Sequence, residues 1–304
     1  MDVGEIKPIT LDACEDLYLI ETGMYDVTGY GGVYLLDADE PILVESGIGT
    51  NYEAILDAIR TIGLSPADIE TIAVTHVHLD HAGGAGLLAA ECQNATVVVS
   101  ERGAPHLIDP ERLVAGTKAA VGDQWRYYVE PEPVPEDRVR RVAEGDRIDA
   151  GNYALTVHEA PGHARHQVVF SVPAMDAVFT GDAAGLWLTD ENRVHQTSPP
   201  PEFDLEQAIA DAEMIRDLEP QTLLFTHFGP ATNAKTVLSN YPRVLREWVD
   251  AVADKRERYD DEAAVIAALV DENDLVPIWG ERKAKAETTI NARGVIRYLD
   301  RLER

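Results

Sequence analysis

Short apolar runs and longer amphipathic segments alternate along residues 17–230. Apolar runs at 32–37 and 41–45 are too short for helices and predict buried strands. Ile55, Leu56 and Ile59 recur at helical spacing, which predicts a helix over 51–61. The same reasoning predicts further strands at 17–21, 96–99, 153–159, 167–172 and 176–180, a strand that ends at Thr75, and helices after Gly86 and at 204–218. Such alternation indicates an α/β protein.

The pattern becomes wholly helical in the last part of the chain. Apolar positions at helical spacing predict three helices beyond residue 233 and no strand. We therefore expect a first domain over residues 1–232 and a helical extension over 233–304. The first domain carries an insertion at about 102–140, rich in Pro, Trp and Tyr, which either folds over a pocket or packs on the surface. Lys283 and Lys285 either contact an anionic ligand or begin a solvated helix.

The composition is strongly acidic, with 54 Asp and Glu against 26 Lys and Arg and a formal net charge of −28. Dense carboxylates with few lysines are typical of proteins from salt-loving organisms, so we predict a halophilic source. The sequence has no basic patch, which argues against nucleic acid as a partner.

The N-terminal residues, the length of the apolar runs and the number of cysteines together predict a soluble cytoplasmic protein. Residues 1–5 are acidic, and no apolar run approaches the roughly 18 residues that a membrane span needs. We therefore expect a cytoplasmic protein with no membrane partner. Cys14 and Cys92 are too few for a disulfide scaffold and are expected to be free thiols.

Four ligand-type side chains lie together directly after the apolar run 72–74. They are His76, His78, Asp80 and His81, and small residues at 82–86 follow them before the chain turns helical. Imidazole nitrogens and carboxylate oxygens are typical zinc ligands. The cluster therefore predicts a metal site on a strand-to-helix loop.

Three later segments each place one more ligand-type residue after an apolar run: His163, Asp182 and His227. An HxHxDH motif followed in order by a His, an Asp and a His, each at a strand end, resembles the metallo-β-lactamase superfamily. The resemblance covers roughly residues 15–230. It implies a four-layer αββα sandwich, here with the helical extension at its C-terminal end.

The resemblance also implies which residues bind each of two metal ions. One ion is held by His76, His78 and His163, the other by Asp80, His81 and His227, and Asp182 bridges them. We expect two Zn²⁺ per chain, with iron or manganese as the other candidates. Two ions about 3.5–4 Å apart share a water and lower its pKa to roughly 7, which supplies hydroxide as a nucleophile. Asp80 is then the catalytic residue that orients this water and moves a proton.

Four further residues are candidates for supporting contacts. Glu45 takes a position where relatives usually carry Asp, and its carboxylate is expected to accept the free N–H of a ligand imidazole. His166 departs by one position from the usual spacing, so it either contacts substrate or forms a local hydrogen bond. Tyr25 and Tyr30 lie in a loop that contacts substrate in relatives, although loop tyrosines also simply pack.

Three activities remain open at this stage. The resemblance favours a hydrolase of thioesters, lactones or related esters, of the glyoxalase II-like or lactonase-like branch, because Asp182 stands where true β-lactamases carry Cys or Ser. A phosphodiesterase or nuclease would use the same metal pair. An iron-dependent thiol or persulfide oxygenase is the third candidate. We expect a small-molecule substrate and a homodimer formed through the C-terminal helices.

Overall fold

A computed structural model describes residues 2–11 and 14–303 of the chain. One sheet has seven strands in sequence order, antiparallel from β1 to β4 and parallel from β4 to β7. These strands are β1 (Ile6–Leu11), β2 (Cys14–Glu21), β3 (Gly32–Leu36), β4 (Ile42–Val44), β5 (Thr71–Ala73), β6 (Thr96–Ser100) and β7 (Val139–Val142).

A second sheet has six strands in the order β15-β14-β11-β10-β9-β8. Its pairs are antiparallel except for the parallel pair β11 and β14. The strands are β8 (Arg147–Asp149), β9 (Ala154–Glu159), β10 (Val168–Val172), β11 (Ala177–Phe179), β14 (Thr222–Phe225) and β15 (Gly229–Ala231); β12 (Leu186–Leu188) and β13 (Arg193–His195) form a separate hairpin.

Nine α-helices are assigned in the described residues. They are α1 (Tyr52–Ile62), α2 (Leu79–Ala82), α3 (Ala85–Glu91), α4 (Ala104–Ile108), α5 (Glu111–Val121), α6 (Leu205–Asp217), α7 (Ala234–Arg258), α8 (Glu262–Asp271) and α9 (Val276–Leu302). In residues 2–11 and 14–303, none of them is both long and apolar enough to cross a bilayer.

Side chains alternate between two apolar layers along each sheet, as strand geometry requires. In β3, Tyr34 and Leu36 face the second sheet, whereas Val33 and Leu35 face α1 and α3. In β10, Phe170 faces the first sheet, whereas Val169 faces α6 and the C-terminal helices. The layers are therefore helix, sheet, sheet, helix, and the predicted αββα sandwich with a C-terminal helical region is confirmed.

Several details differ from the prediction. β7 begins at Val139, within the last residues of the predicted insertion, and forms an edge of the first sheet. The predicted last helix begins at Val276 rather than near residue 288 and is kinked at Gly280, whose φ of 72° is outside the helical range. Lys283 is buried, so the prediction of a solvated helix start is wrong at this residue.

Candidate metal centre

The seven predicted ligands come together at one edge of the sandwich. The edge is formed by the carboxyl ends of the parallel strands β4 and β5 in the first sheet and of β9, β11 and β14, which share one direction, in the second. Hydrogen bonds join the two sheets there: Val168 donates its N–H to the carbonyl of Thr75 at 2.8 Å, and Gly32 donates to the carbonyl of Thr226 at 2.8 Å. The loops that carry the ligands thus start from a rigid edge.

His76, His78 and His163 form the first ligand group. His78 Nδ1 lies 3.1 Å from His76 Nε2 and 3.1 Å from His163 Nε2. Three nitrogens each about 2.0–2.1 Å from a tetrahedral zinc lie about 3.3–3.4 Å apart. The observed spacing is therefore close to that of a three-histidine zinc site.

Asp80, His81 and His227 form the second group, because their ligand atoms lie within 4.8 Å of one another. Asp182 lies between the two groups. Its Oδ2 is 3.3 Å from His163 Nε2, while its Oδ1 is 3.4 Å from His81 Nε2 and 3.5 Å from His227 Nε2. One carboxylate oxygen thus faces each group.

The backbone that presents Asp182 depends on a glycine. Gly181 has φ +47°, and a Cβ at this position would overlap the Thr75 side chain. Only glycine adopts this conformation without strain and leaves room for Thr75. The turn after β11 can therefore bring Asp182 beside the loop that follows β5.

Glu45 is buried and occupies a strained backbone conformation with φ 72°. Its Oε1 accepts hydrogen bonds from Thr75 Oγ1 at 2.5 Å and Thr226 Oγ1 at 3.1 Å, and lies 3.1 Å from His81 Nδ1. The contact with His81 places a proton on Nδ1 and leaves Nε2 facing the ligand group. The structure therefore brings Glu45 to the ring of His81, and its role in orienting a metal ligand stays a prediction.

Two other ligands are also oriented through their Nδ1 atoms. His227 Nδ1 lies 2.6 Å from the carbonyl oxygen of Tyr30, which can only accept a hydrogen bond, so Nδ1 carries a proton and Nε2 is left to face Asp182. His76 Nδ1 lies 3.1 Å from the hydroxyl of Thr75. These contacts fix the rings before any ligand binds.

Burial and charge set the protonation of the metal-free cluster. Burial lowers the pKa of His76 and His78, and it lowers the pKa of His163 to about 3. Burial would also lower the pKa of His81, but the carboxylates of Asp182 and Glu45 outweigh it and raise that pKa well above its ordinary value. The first group is thus neutral imidazole, the form that binds metals.

The two carboxylates of the cluster are ionised. Burial alone would raise the pKa of Asp182, but His81 and His163 outweigh it and hold the pKa well below its usual range. Burial also opposes ionisation of Asp80, and His81 and His227 again lower its pKa. The carboxylates of Asp80 and Asp182 therefore both present negative oxygen atoms to the space between the histidines.

Three buried atoms of the seven candidate ligands have no hydrogen-bond partner among the described residues: His163 Nδ1, and the pair His81 Nε2 and Asp182 Oδ1, which lie 3.4 Å apart. Buried polar atoms normally have partners, and leaving them without one is costly. A cation between His81 Nε2 and Asp182 Oδ1 would satisfy both of these atoms. The residues present therefore fit a metal pair, although their ligation of metal remains a prediction.

The remaining predicted residues lie around this cluster. The ring of His166 is parallel to that of His76 at a centroid distance of 6.0 Å, and its Nδ1 accepts the N–H of Val77 at 3.4 Å. Tyr25 is buried and its hydroxyl is hydrogen-bonded to that of Tyr128, from the predicted insertion.

An aromatic cluster beside the second ligand group contains residues from four distant parts of the chain. Tyr30 contacts His227 at a ring-centroid distance of 4.8 Å and Trp279 at 5.8 Å. The cluster consists of Tyr25, Tyr30, Tyr127, Tyr128, Phe228 and Trp279. The segment between β2 and β3, residues 127–128, the residues after β14 and α9 therefore meet beside the centre.

Sequence reasoning missed the contribution of α9 to this region. Lys283, Glu287 and Asn291 are buried on one face of the helix. A signal was present, because the three polar residues are spaced four apart and so lie on one face of a helix. Nothing in the sequence indicated that this face is turned inward.

A four-layer αββα sandwich with six histidine and aspartate side chains around a shared aspartate defines a metal-binding fold of the metallo-β-lactamase type. The sequence comparison agrees, because residues 28–227 match the metallo-beta-lactamase superfamily. The chain belongs to this superfamily.

Three relatives illustrate its place in the superfamily. The metallo-beta-lactamase fold-containing protein ST1585 of Sulfurisphaera tokodaii is 25% identical over 253 residues, 80% of this chain and 87% of that protein. The crystal structure of ST1585 superposes with a TM-score of 0.68 at 23% identity and covers 93% of this chain and 99% of that chain.

The other two relatives match over shorter lengths. A hydroxyacylglutathione hydrolase of Hyphomonas neptunium is 29% identical over 141 residues, 45% of this chain and 51% of that enzyme. The acyl-coenzyme A thioesterase MBLAC2 of Gallus gallus is 26% identical over 188 residues, 55% of this chain and 62% of that enzyme. The chain thus spans about half to three fifths of these two enzymes.

Proposed function

We propose that this protein is a dinuclear zinc hydrolase that cleaves thioesters, with lactones and related esters as the next candidates. The observation that carries the proposal is the position of Asp182. One of its oxygens faces His163 of the first ligand group and the other faces His81 and His227 of the second. A single carboxylate between two histidine groups suits two cations better than one.

Bound zinc would acidify a water molecule and polarise a substrate carbonyl. The chain's own residues contribute proton handling and orientation. Asp80 is half-buried and ionised, so it can accept a proton beside the second group. Glu45 and the carbonyl of Tyr30 hold His81 and His227 in the tautomer that directs Nε2 inward.

The tyrosines near Asp80 remain phenols at neutral pH. Burial is the largest cause that raises the pKa of Tyr25 and Tyr128 well above the ordinary value, and the charge of Asp80 adds to it. Because the two hydroxyls are hydrogen-bonded to each other, one of them uses its proton in that bond and the other can donate a hydrogen bond to a substrate oxygen. The surrounding aromatic side chains would exclude water from an apolar acyl group.

Thioesters are placed first because two relatives are a hydroxyacylglutathione hydrolase and an acyl-coenzyme A thioesterase. Both act on a thioester carbonyl according to their names. Asp182 at the shared position also supports hydrolysis of this bond over β-lactam cleavage.

Metal analysis tests the proposal most directly. Purified wild-type protein is expected to contain two zinc ions per chain by mass spectrometry. Asp182→Ala is expected to lose at least one ion and about 100-fold or more of kcat/KM. Asp217→Ala, at an exposed site on α6, is the matched control and should retain both. Full turnover and two ions in Asp182→Ala would contradict the proposal.

A substrate panel separates the candidate activities. It contains a glutathione thioester, an acyl-coenzyme A thioester, a lactone and bis(4-nitrophenyl) phosphate. We expect the highest kcat/KM with one of the thioesters. Preference for the phosphate diester would favour a phosphodiesterase, and iron with oxygen uptake in the presence of a thiol would favour an oxygenase.

A further inference from the structure

A buried polar face of α9 lies beside the second ligand group. It comprises Lys283, Glu287 and Asn291, spaced by four residues, of which Asn291 is only 1% exposed. Buried charges are costly unless they are paired and hydrogen-bonded. We therefore expect these buried polar side chains of α9 to have hydrogen-bond partners in the rest of the fold.

Glu287 has three partners and is the centre of this face. Its Oε2 lies 2.8 Å from Lys283 Nζ and accepts the phenol O–H of Tyr30 at 2.9 Å. Its Oε1 accepts an N–H of Asn291 at 2.9 Å. Burial would raise the pKa of Glu287, but Lys283 outweighs it and the pKa is lowered, so the carboxylate is ionised.

Tyr30 is held at both ends. Its phenol donates to Glu287, and its backbone carbonyl lies 2.6 Å from His227 Nδ1. Its ring contacts the ring of His227 edge to face. The Lys283 ammonium lies 4.2 Å from the centroid of the same ring, on which a cation is attracted to the π electrons.

The far end of the polar face is anchored to the sandwich. Asn291 Oδ1 accepts the N–H of Ser198 at 2.6 Å, and Ser198 Oγ donates to the Asn291 carbonyl at 3.0 Å. Ser198 Oγ also accepts the indole N–H of Trp248, from α7, at 3.0 Å. The position of α9 is therefore fixed relative to the loop that follows β13.

We propose that α9 positions the metal ligand His227 through Tyr30. Glu287 holds the phenol, so the residue whose carbonyl orients His227 cannot shift. The inference rests on the proposed metal centre, and it makes Tyr30 and Glu287 positioning residues. Lys283 is paired with Glu287, and this pairing argues against Lys283 as a binding site for an anionic substrate group.

Three variants test this connection without leaving a buried charge unpaired. Tyr30→Phe removes only the phenolic oxygen. The double variant Lys283→Met and Glu287→Leu removes both charges and the acceptor. The double variant Lys283→Met and Glu287→Gln removes both charges and keeps an acceptor oxygen. Asp300→Asn is the matched control, because Asp300 lies near the end of α9 and its ion pair with Arg256 of α7 is separate from the polar face.

The readout is stepwise zinc affinity of metal-free protein, measured by competition with a chromophoric chelator. His227→Asn identifies the step that belongs to the second ligand group. We expect Tyr30→Phe and the Leu-containing variant to weaken this step about ten-fold. The step at His76, His78 and His163 should change less than about two-fold. The Gln-containing variant should recover most of the loss, and Asp300→Asn should match wild type.

Equal weakening of both steps in Tyr30→Phe would indicate a general loss of stability and overturn the inference. Unchanged affinities would overturn it as well. A wild-type protein that binds fewer than two zinc ions would instead contradict the proposed metal centre itself. The two failures are therefore distinguishable in one set of titrations.

Discussion

Replacing Glu45 with Gln removes one buried negative charge and preserves the size of the side chain. Oε1 of Glu45 interacts with Thr75 Oγ1, Thr226 Oγ1 and His81 Nδ1. Oε2 accepts the N–H of Thr75 at 3.3 Å. The amide oxygen of Gln can replace only one of these two acceptors, so an NH₂ group would face a donor.

The size of the effect follows from these contacts. A hydrogen bond to a charged group contributes about 1.5–3 kcal/mol, against about 0.5–1.5 kcal/mol for a neutral one. Three weakened bonds at Oε1 therefore cost about 3 kcal/mol of unfolding free energy in the metal-free protein. For a chain of this length that corresponds to a Tm lowered by about 5 °C. The loss of an oriented His81 should weaken the second zinc site about 10–100-fold.

Urea unfolding of metal-free protein and chelator competition measure the two quantities separately. Tyr34→Phe is a suitable control, because it removes one buried hydrogen bond, 2.7 Å long, to the carbonyl of Phe225 without touching a ligand. It should cost about 1 kcal/mol and leave zinc affinity unchanged. Wild-type zinc affinity in Glu45→Gln would refute the role assigned to Glu45.

Three further predictions concern protons and packing. Because its pKa is raised, His81 is protonated in metal-free protein at pH 7. Calorimetry in buffers of different ionisation enthalpy should therefore detect at least about one proton released on zinc binding, and no release would contradict this. The pKa of His163 lies near 3 in the folded chain, so unfolding takes up a proton below pH 6.5. Between pH 8 and pH 5 this costs about 2 kcal/mol, and urea titrations should show a loss that is smaller by about this amount in His163→Asn than in wild type. Gly294→Ala would overlap the Ser198 carbonyl and should lower the unfolding free energy by at least about 1–3 kcal/mol, whereas Gly116→Ala, which has open space, should not.

Apolar patterning predicted an α/β protein and the strand ends that carry the candidate ligands, whereas the αββα sandwich followed from the resemblance of the ligand motifs to a known superfamily. The ligands could be found because each follows a buried run, and parallel strands bring such ends to one edge. β7 was missed because it reads Val-Arg-Arg-Val and lies at a sheet edge, where Arg140 and Arg141 are exposed. An edge strand of this kind has no apolar run to detect.

The start of α9 and its buried face were beyond local sequence reasoning. Pro277 and Gly280 are typical of chain breaks, yet Pro is tolerated in the first turn and the glycine only kinks the helix. Burial of Lys283 and Glu287 depends on Tyr30, more than 250 residues earlier in the chain. Contacts of this sequence separation leave no periodic signal.

The meeting of Tyr25, Tyr128 and Trp279 beside the centre constrains redesign of this protein. Tyr25 comes from the segment between β2 and β3, Tyr128 from the segment between α5 and β7, and Trp279 from α9. Each packs on the shared aromatic cluster. A loop transplanted from a homologue would therefore arrive without its matching neighbours. Laboratory evolution toward new substrates should randomise all three segments in one library. Changes confined to one segment would lose their packing against the unchanged side chains of the other two.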